Sequence, residues 1–216
     1  AETNMTKQKL GLLFMILTLG LWLTACNQED REQAEEDVQI EPPMEEEQTE
    51  EEPEIPKFVF PLTGIPTDSE PTNRAIAVTI NNHPLARPRS GLINADIIYE
   101  MLVEGSITRL LAILQSEYPE RVGPVRSARE YFIDVAQGYD SVYVAHGYSP
   151  KAKEMLNAGV IDHINGMRYD GTLFKRSSDR KAPHNSYTFK DSLLEGMEKL
   201  KYEKYKVPQP LSFFPE

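Results

Sequence analysis

Two glutamates, Glu100 and Glu104, and two histidines, His146 and His184, are the side chains of this 216-residue chain best suited to moving a proton. A carboxylate working with an imidazole can do general acid–base chemistry, including hydrolysis or elimination at a glycosidic bond. A second set is basic: Arg87, Arg109, Arg126, Arg129 and Arg180, with Asn185 beside His184. Guanidinium forks suit carboxylates and phosphates, so this set describes binding rather than turnover. Neither set comes with a Gly-x-Ser-x-Gly motif, a zincin helix or a phosphate-binding glycine loop. His83, His146 and His184 lack short ligand spacing, so no metal and no other cofactor is expected.

These groups need elements to position them. Ala75 to Ile80 is short, β-branched and bounded by Asn81-Asn82-His83-Pro84, the pattern of a buried strand. Ile97 to Val103 reads the same way, and Gly105-Ser106 offers a two-residue turn into a third strand, Thr108 to Leu114. That hairpin would set Glu104 opposite Ile107, Leu102 opposite Arg109 and Glu100 opposite Leu111. Alternate residues share a face, so Glu100, Glu104 and Arg109 would form an ionic cluster. Four strand residues hold the glutamates about 13 Å apart, too far for the roughly 5–9.5 Å of a glycosidase pair; on a helix, the main rival reading of this segment, they would be about 6 Å apart.

Downstream, Ser127 and Glu130 have capping-box spacing, predicting a helix from Ala128 to Gln137 with Gly138 in the left-handed position beyond it. Arg126 and Arg129 would then sit at the positive end of the helix dipole. Glu130, a hairpin glutamate or a ligand anion could compensate them. Ser141 to Ala145 reads as a strand ending at His146, followed by a helix capped by Ser149, opened by Pro150 and stopped by Gly159. Asp170-Gly171 marks a turn, and Pro183 holds Ala182 extended so that His184 and Asn185 project from a loop. A last, solvated helix is predicted from Phe189 to about Tyr205, with Thr188 as its cap. The elements read from the residues are thus strands, with a hairpin near 97–114, and helices to pack against them.

Charge and composition divide the chain. The net charge of −11 comes from residues 27–56, with 14 acidic side chains and one basic; residues 57–216 carry 20 basic against 19 acidic. So acidic a stretch, with several prolines, reads as a disordered tether, whereas the roughly 160 residues after it suffice for one core. At the other end, Lys7 and Lys9 precede an apolar run that closes on Leu23-Thr24-Ala25-Cys26, a bacterial lipobox. Cleavage before Cys26 and acylation of its thiol would anchor the protein to the outer face of the cell membrane. As Cys26 is the only cysteine, disulfides, thiol nucleophiles and Cys-ligated metals are then excluded. The expected organisation is a signal peptide over 1–25, lipidated Cys26 and tether over 26–56, a folded domain over 57–206, and from 207 a linker or truncated C-terminal region.

An ordered series of motifs resembles the YerB-like family of bacterial lipoproteins, whose domain is of unknown function. It comprises Pro61-Leu62-Thr63-Gly64, Asn82-His83-Pro84, Ala86-Arg87-Pro88-Arg89-Ser90-Gly91, Ala95-Asp96-Ile97-Ile98-Tyr99-Glu100, Val103-Glu104-Gly105, Thr108-Arg109, Gly123-Pro124-Val125-Arg126-Ser127-Ala128-Arg129 and Ala182-Pro183-His184-Asn185. The resemblance implies an α+β domain, lipid anchoring and a following C-terminal domain, and it carries no agreed catalytic residues. Where the family pattern suggests a second glycine after Gly147, this chain has Tyr148, which stiffens that loop.

Two functions follow. The first is an extracytoplasmic binding or scaffolding domain recognising an anionic wall polymer or an envelope protein through Arg87, Arg109, Arg126, Arg129, Arg180 and Asn185. The alternative is an envelope glycan hydrolase or lyase using Glu100 or Glu104 with His146 or His184. A near-neutral domain disfavours nucleic acid.

Overall fold

The structure, a computed structural model, describes residues 56–213. The expected signal peptide, the lipobox with Cys26 and the acidic tether up to residue 55 lie outside the described residues, as do the last three residues. The elements run β1 (Phe58–Val59), β2 (Pro66–Thr67), β3 (Ile76–Asn81), β4 (Ile97–Leu102), β5 (Thr108–Leu114), β6 (Arg121–Val122), α1 (Glu130–Gln137), β7 (Val142–Ala145), α2 (Pro150–Asn157), β8 (His163–Asn165), α3 (Gly166–Tyr169), β9 (Phe174–Arg176), β10 (Ser186–Phe189) and α4 (Lys190–Lys199). Helices and a mixed sheet give the expected α+β class.

A five-stranded sheet in the order β4-β5-β3-β7-β8 is the frame. β4, β5 and β3 pair antiparallel, whereas β3, β7 and β8 run parallel. β3 is buried along its whole length because both faces of the sheet are covered. On one side Ile76, Val78 and Ile80 join Leu110, Ala112, Leu114, Val142 and Val144 under Phe174, Leu193 and Met197. On the other, Ala77, Leu111, Ile113 and Tyr143 meet Phe132, Ile133 and Ala136 of α1 and Ala152 and Leu156 of α2. Each such large side chain contributes about 1.5–3 kcal/mol by leaving water. A smaller sheet, β6-β10-β9, flanks the first core.

The hairpin forms, but its register is one residue from the expected one. Leu102 faces Thr108, Met101 faces Arg109 and Glu100 faces Leu110. The Gly105-Ser106 turn is present, with Gly105 at φ 64 and Ile107 N–H donating to Glu104 O at 3.3 Å. Val103 N–H then donates to the carbonyl of the same Ile107 at 2.9 Å. Val103 and Glu104 thus both oppose Ile107, a β-bulge that shifts every pair beyond it.

Helix ends also differ from expectation where another strand claims the backbone. Ala128 is drawn into an extended bridge with Tyr148, donating to Gly147 O at 3.0 Å and accepting from Ser149 N–H at 3.0 Å. α1 therefore starts at Glu130, and Ser127 donates its hydroxyl to His146 O at 3.2 Å instead of capping. Gly138 is right-handed at φ −59, and the left-handed residue is Asp140, at φ 51 just before β7. Thr188 lies in β10 with its hydroxyl on Leu173 O at 2.9 Å, so it caps nothing. α4 ends at Lys199 rather than near Tyr205, and it is not wholly solvated, because Leu193, Gly196 and Met197 pack into the core. At α2 the local rules hold: Ser149 Oγ accepts from Ala152 N–H at 3.2 Å, Pro150 opens the helix and Gly159 turns the chain at φ 70. Residues 207–213 form no helix or strand, but Pro208 is buried and Leu211 N–H donates to Pro61 O at 2.8 Å.

Candidate functional site

The parallel strands β3, β7 and β8 end together, and the residues that follow them are polar. In parallel sheets ligands collect beyond these carboxyl ends. β3 delivers Asn81, Asn82 and His83, β7 leads into His146-Gly147, and β8 ends on Asn165. Close approach is allowed here by glycine: a Cβ on Gly166 would lie 2.3 Å from the His146 ring, and one on Gly147 would lie 2.5 Å from Ser127 Oγ.

The His146 side chain is largely enclosed. Its Nε2 accepts from Arg176 Nη2 at 3.1 Å, which leaves the proton on Nδ1 to be donated to Ser186 Oγ at 2.7 Å. Arg176 also grips Asp170, at 2.8 Å from Nη2, and Asn185 Oδ1, at 3.1 Å from Nη1. Burial lowers the His146 pKa; Arg176 and Arg126 lower it further against the opposing pull of Asp170. Arg176 in turn holds the Asp170 carboxyl below its ordinary value. Ser186 is buried on β10, so this Ser-His-Asp neighbourhood presents no hydroxyl to a substrate.

His184 belongs to a separate arrangement. Its ring stacks on His83 with centroids 4.7 Å apart, and its Nδ1 lies 2.8 Å from Asn81 Nδ2. Burial, then His83 and Arg126, lower its pKa.

The arginines divide by partner. Arg109 is 5% exposed; it donates to Ser127 O at 2.7 Å and to Glu104 at 3.3 Å. Arg129 is bound to the same Glu104 carboxylate and to Ala128 O at 2.7 Å. Arg180 ties its loop down through Ala86 O at 2.7 Å and Pro88 O at 2.9 Å. Asn185 likewise bonds Ser177 O and Arg180 O within that loop. Arg87 is exposed, with one long bond of 3.4 Å to Asn82 O. Arg126 is partly buried, and its guanidinium finds only Pro183 O at 3.4 Å. Among the described residues it has no carboxylate partner. Burial and then Arg109 lower its pKa, as expected of a partly buried cation with a second one nearby.

The expected ionic cluster is thus corrected. Glu104 joins Arg109 as foreseen, but the bulge excludes Glu100 and Arg129 takes its place. Glu100 lies on the exposed face of β4, accepting from Asn82 Nδ2 at 2.9 Å and Thr108 Oγ1 at 2.6 Å. Neither glutamate hydrogen-bonds a histidine among the described residues. Asn81, His83 and Arg176 are not among the expected ligand-binding residues. A polar run closing a buried strand signals Asn81 and His83, and Arg176 stands in a polar segment with little periodicity, but its contact with His146, 30 residues away, has no local pattern.

A family model described as the N-terminal domain of a protein of unknown function (DUF3048) matches residues 62–203. The Bacillus subtilis (strain 168) protein named "Putative lipoprotein YerB" is 51% identical over 158 residues, 73% of this chain and 48% of that protein. A crystal structure of the YerB protein from Bacillus subtilis matches with a TM-score of 0.71 at 50% identity, covering 72% of this chain and 54% of that one. The chain therefore spans about half the length of the relatives it matches. With the matched residues enclosing both cores and the polar residues that follow β3, β7 and β8, this chain belongs to the DUF3048 family of proteins of unknown function, in the region of its N-terminal domain.

Proposed function

We propose that this is a lipid-anchored binding module of the cell envelope, held at the extracytoplasmic face of the membrane by Cys26, which captures an anionic group of a wall polymer or partner protein at Arg126. The lipobox sequence and the name of the Bacillus subtilis relative support the anchor. Among the described residues no helix is long and apolar enough to cross a membrane. In this reading, residues 26–56 are the tether, 57–206 the recognition domain and 207 onward the start of a further region. One observation carries the binding function: Arg126, whose backbone bridges Thr79 and His146 at the ends of β3 and β7, has a single side-chain contact, to a carbonyl at 3.4 Å, and lies near Arg109, His146 and His184. A bound anion would relieve the repulsion between Arg126 and Arg109 and use the unpaired donors. Arg109, Arg129 and Arg180 are bonded within the domain, and Arg87 is exposed beside Asn82.

The test is retention of the full chain on purified wall fragments and anionic polymer, with release of soluble glycan followed in the same tubes. Arg126→Ala is expected to weaken retention at least tenfold, the scale of a lost charge-assisted bond. Glu104→Ala, which frees two arginines, should retain binding, and no glycan should be released by any variant. Equal retention by Arg126→Ala and wild type would remove the basis for this site.

A further inference from the structure

The orientation of the two stacked histidines follows from donors that cannot be reversed. Leu85 N–H donates to His83 Nδ1 at 3.1 Å, so that nitrogen is a lone pair. His83 N–H donates to Asn81 Oδ1 at 3.0 Å, which fixes the Asn81 amide with its oxygen toward His83. Its NH2 group therefore points at His184 Nδ1, 2.8 Å away, and that nitrogen too must be a lone pair. Both neutral rings then carry their proton on Nε2, and neither Nε2 has a partner among the described residues. A second proton could go only to Nδ1 and would forfeit the bond received there. A metal ion on Nε2 would have to displace that proton while Nδ1 still faces an N–H, an arrangement a neutral imidazole cannot satisfy.

We infer that His83 and His184 form a neutral pair of Nε2–H donors that, with Arg126, recognises a phosphate group. Arg126 reaches the carbonyl of Pro183, the residue before His184, which sets its guanidinium beside the stack. Two imidazole donors and a guanidinium fork bring about four donors from different elements, which would use every coplanar lone pair of a carboxylate at once, whereas the tetrahedral oxygens of a phosphate group accept from several directions and leave lone pairs spare. The inference rests on the Arg126 reading above, and it assigns the class of anion.

The chain has four histidines, so selective 15N-histidine labelling of the full protein gives an interpretable spectrum. His83 and His184 should be protonated on Nε2. His146 should be protonated on Nδ1, and so should His163, whose Nδ1 lies 3.3 Å from Ile161 O. Inorganic phosphate, but not acetate at equal ionic strength, should shift the Nε2 resonances of His83 and His184 and leave His163 in place. His184→Phe, which keeps a flat ring for stacking, should weaken phosphate binding about three- to tenfold, the loss of one neutral donor. Inorganic phosphate and phosphatidylglycerol vesicles are run as separate arms, and whichever shifts the pair names the source of the phosphate. An Nδ1-protonated His83 or His184, or a zinc-induced shift where phosphate gives none, overturns the inference. If Arg126→Ala loses phosphate while His184→Phe binds like wild type, the donor pair fails and the Arg126 site stands. If wild type binds neither phosphate, acetate nor wall polymer, both fall.

Discussion

His146 links the histidine chemistry to stability, because a neutral ring is what its neighbours require. Arg176 donates to Nε2, and a proton placed there would set two cations face to face. Its pKa is lowered from the ordinary 6.5 by burial and then by Arg176, and that of His184 is lowered by burial and then by His83. In the unfolded chain both rings protonate near 6.5; in the fold they resist until lower pH. The contribution is therefore complete above about pH 6.5 and declines as pH falls through the interval down to the folded-state values. Asp170, also lowered, adds its own loss only below its ordinary 3.8. Urea midpoints should fall between pH 7.5 and 5.5, and less steeply in His184→Phe; a flat profile over that range would contradict the neutral assignment. At this scale Arg126 was legible in the sequence as a cation near a helix start, but the fate of Arg180 was not. It spends its donors on carbonyls more than 90 residues away, and no local pattern encodes such a distance.

β4, β5 and their turn can be read from residues 97–114, since β-branched runs and Gly105-Ser106 act locally. The bulge could not, because Val103 and Glu104 fit either register by propensity and only packing of Tyr99, Met101 and Val103 against the α1 side selects one. A one-residue slip reverses the face of every side chain, which is why Glu100 and Arg109 part company. The start of α1 has the same origin: Ser127 and Glu130 have cap spacing, yet the bridge from Ala128 to Tyr148 outcompetes it. A sharper element-level test lies at the junction of β8 and α3. Gly166→Ala places a methyl 2.3 Å from the His146 ring. Overpacking of this kind costs about 1–3 kcal/mol, and it should also move the His146 Nδ1 resonance as the bond to Ser186 breaks. Unchanged stability with an unchanged resonance would mean that the ring does not pack there.

For the whole molecule the proposal sets a neutral recognition domain beyond an acidic tether and a lipid anchor. Cys26→Ser should move the protein from the membrane to the soluble fraction and remove the acyl mass increment, with the domain's unfolding midpoint unchanged. Membrane retention of Cys26→Ser would argue for another anchor. The sequence by itself determined the division of charge, the single thiol and most strands and turns, because these depend on composition and on neighbours a few residues apart; the α+β class followed from the family motifs. Only the tertiary structure decided which arginines are consumed internally, that Glu104 rather than Glu100 joins them, and that His83 and His184 meet. Those contacts are made between segments distant in the chain, and their geometry is set by packing two cores onto one sheet.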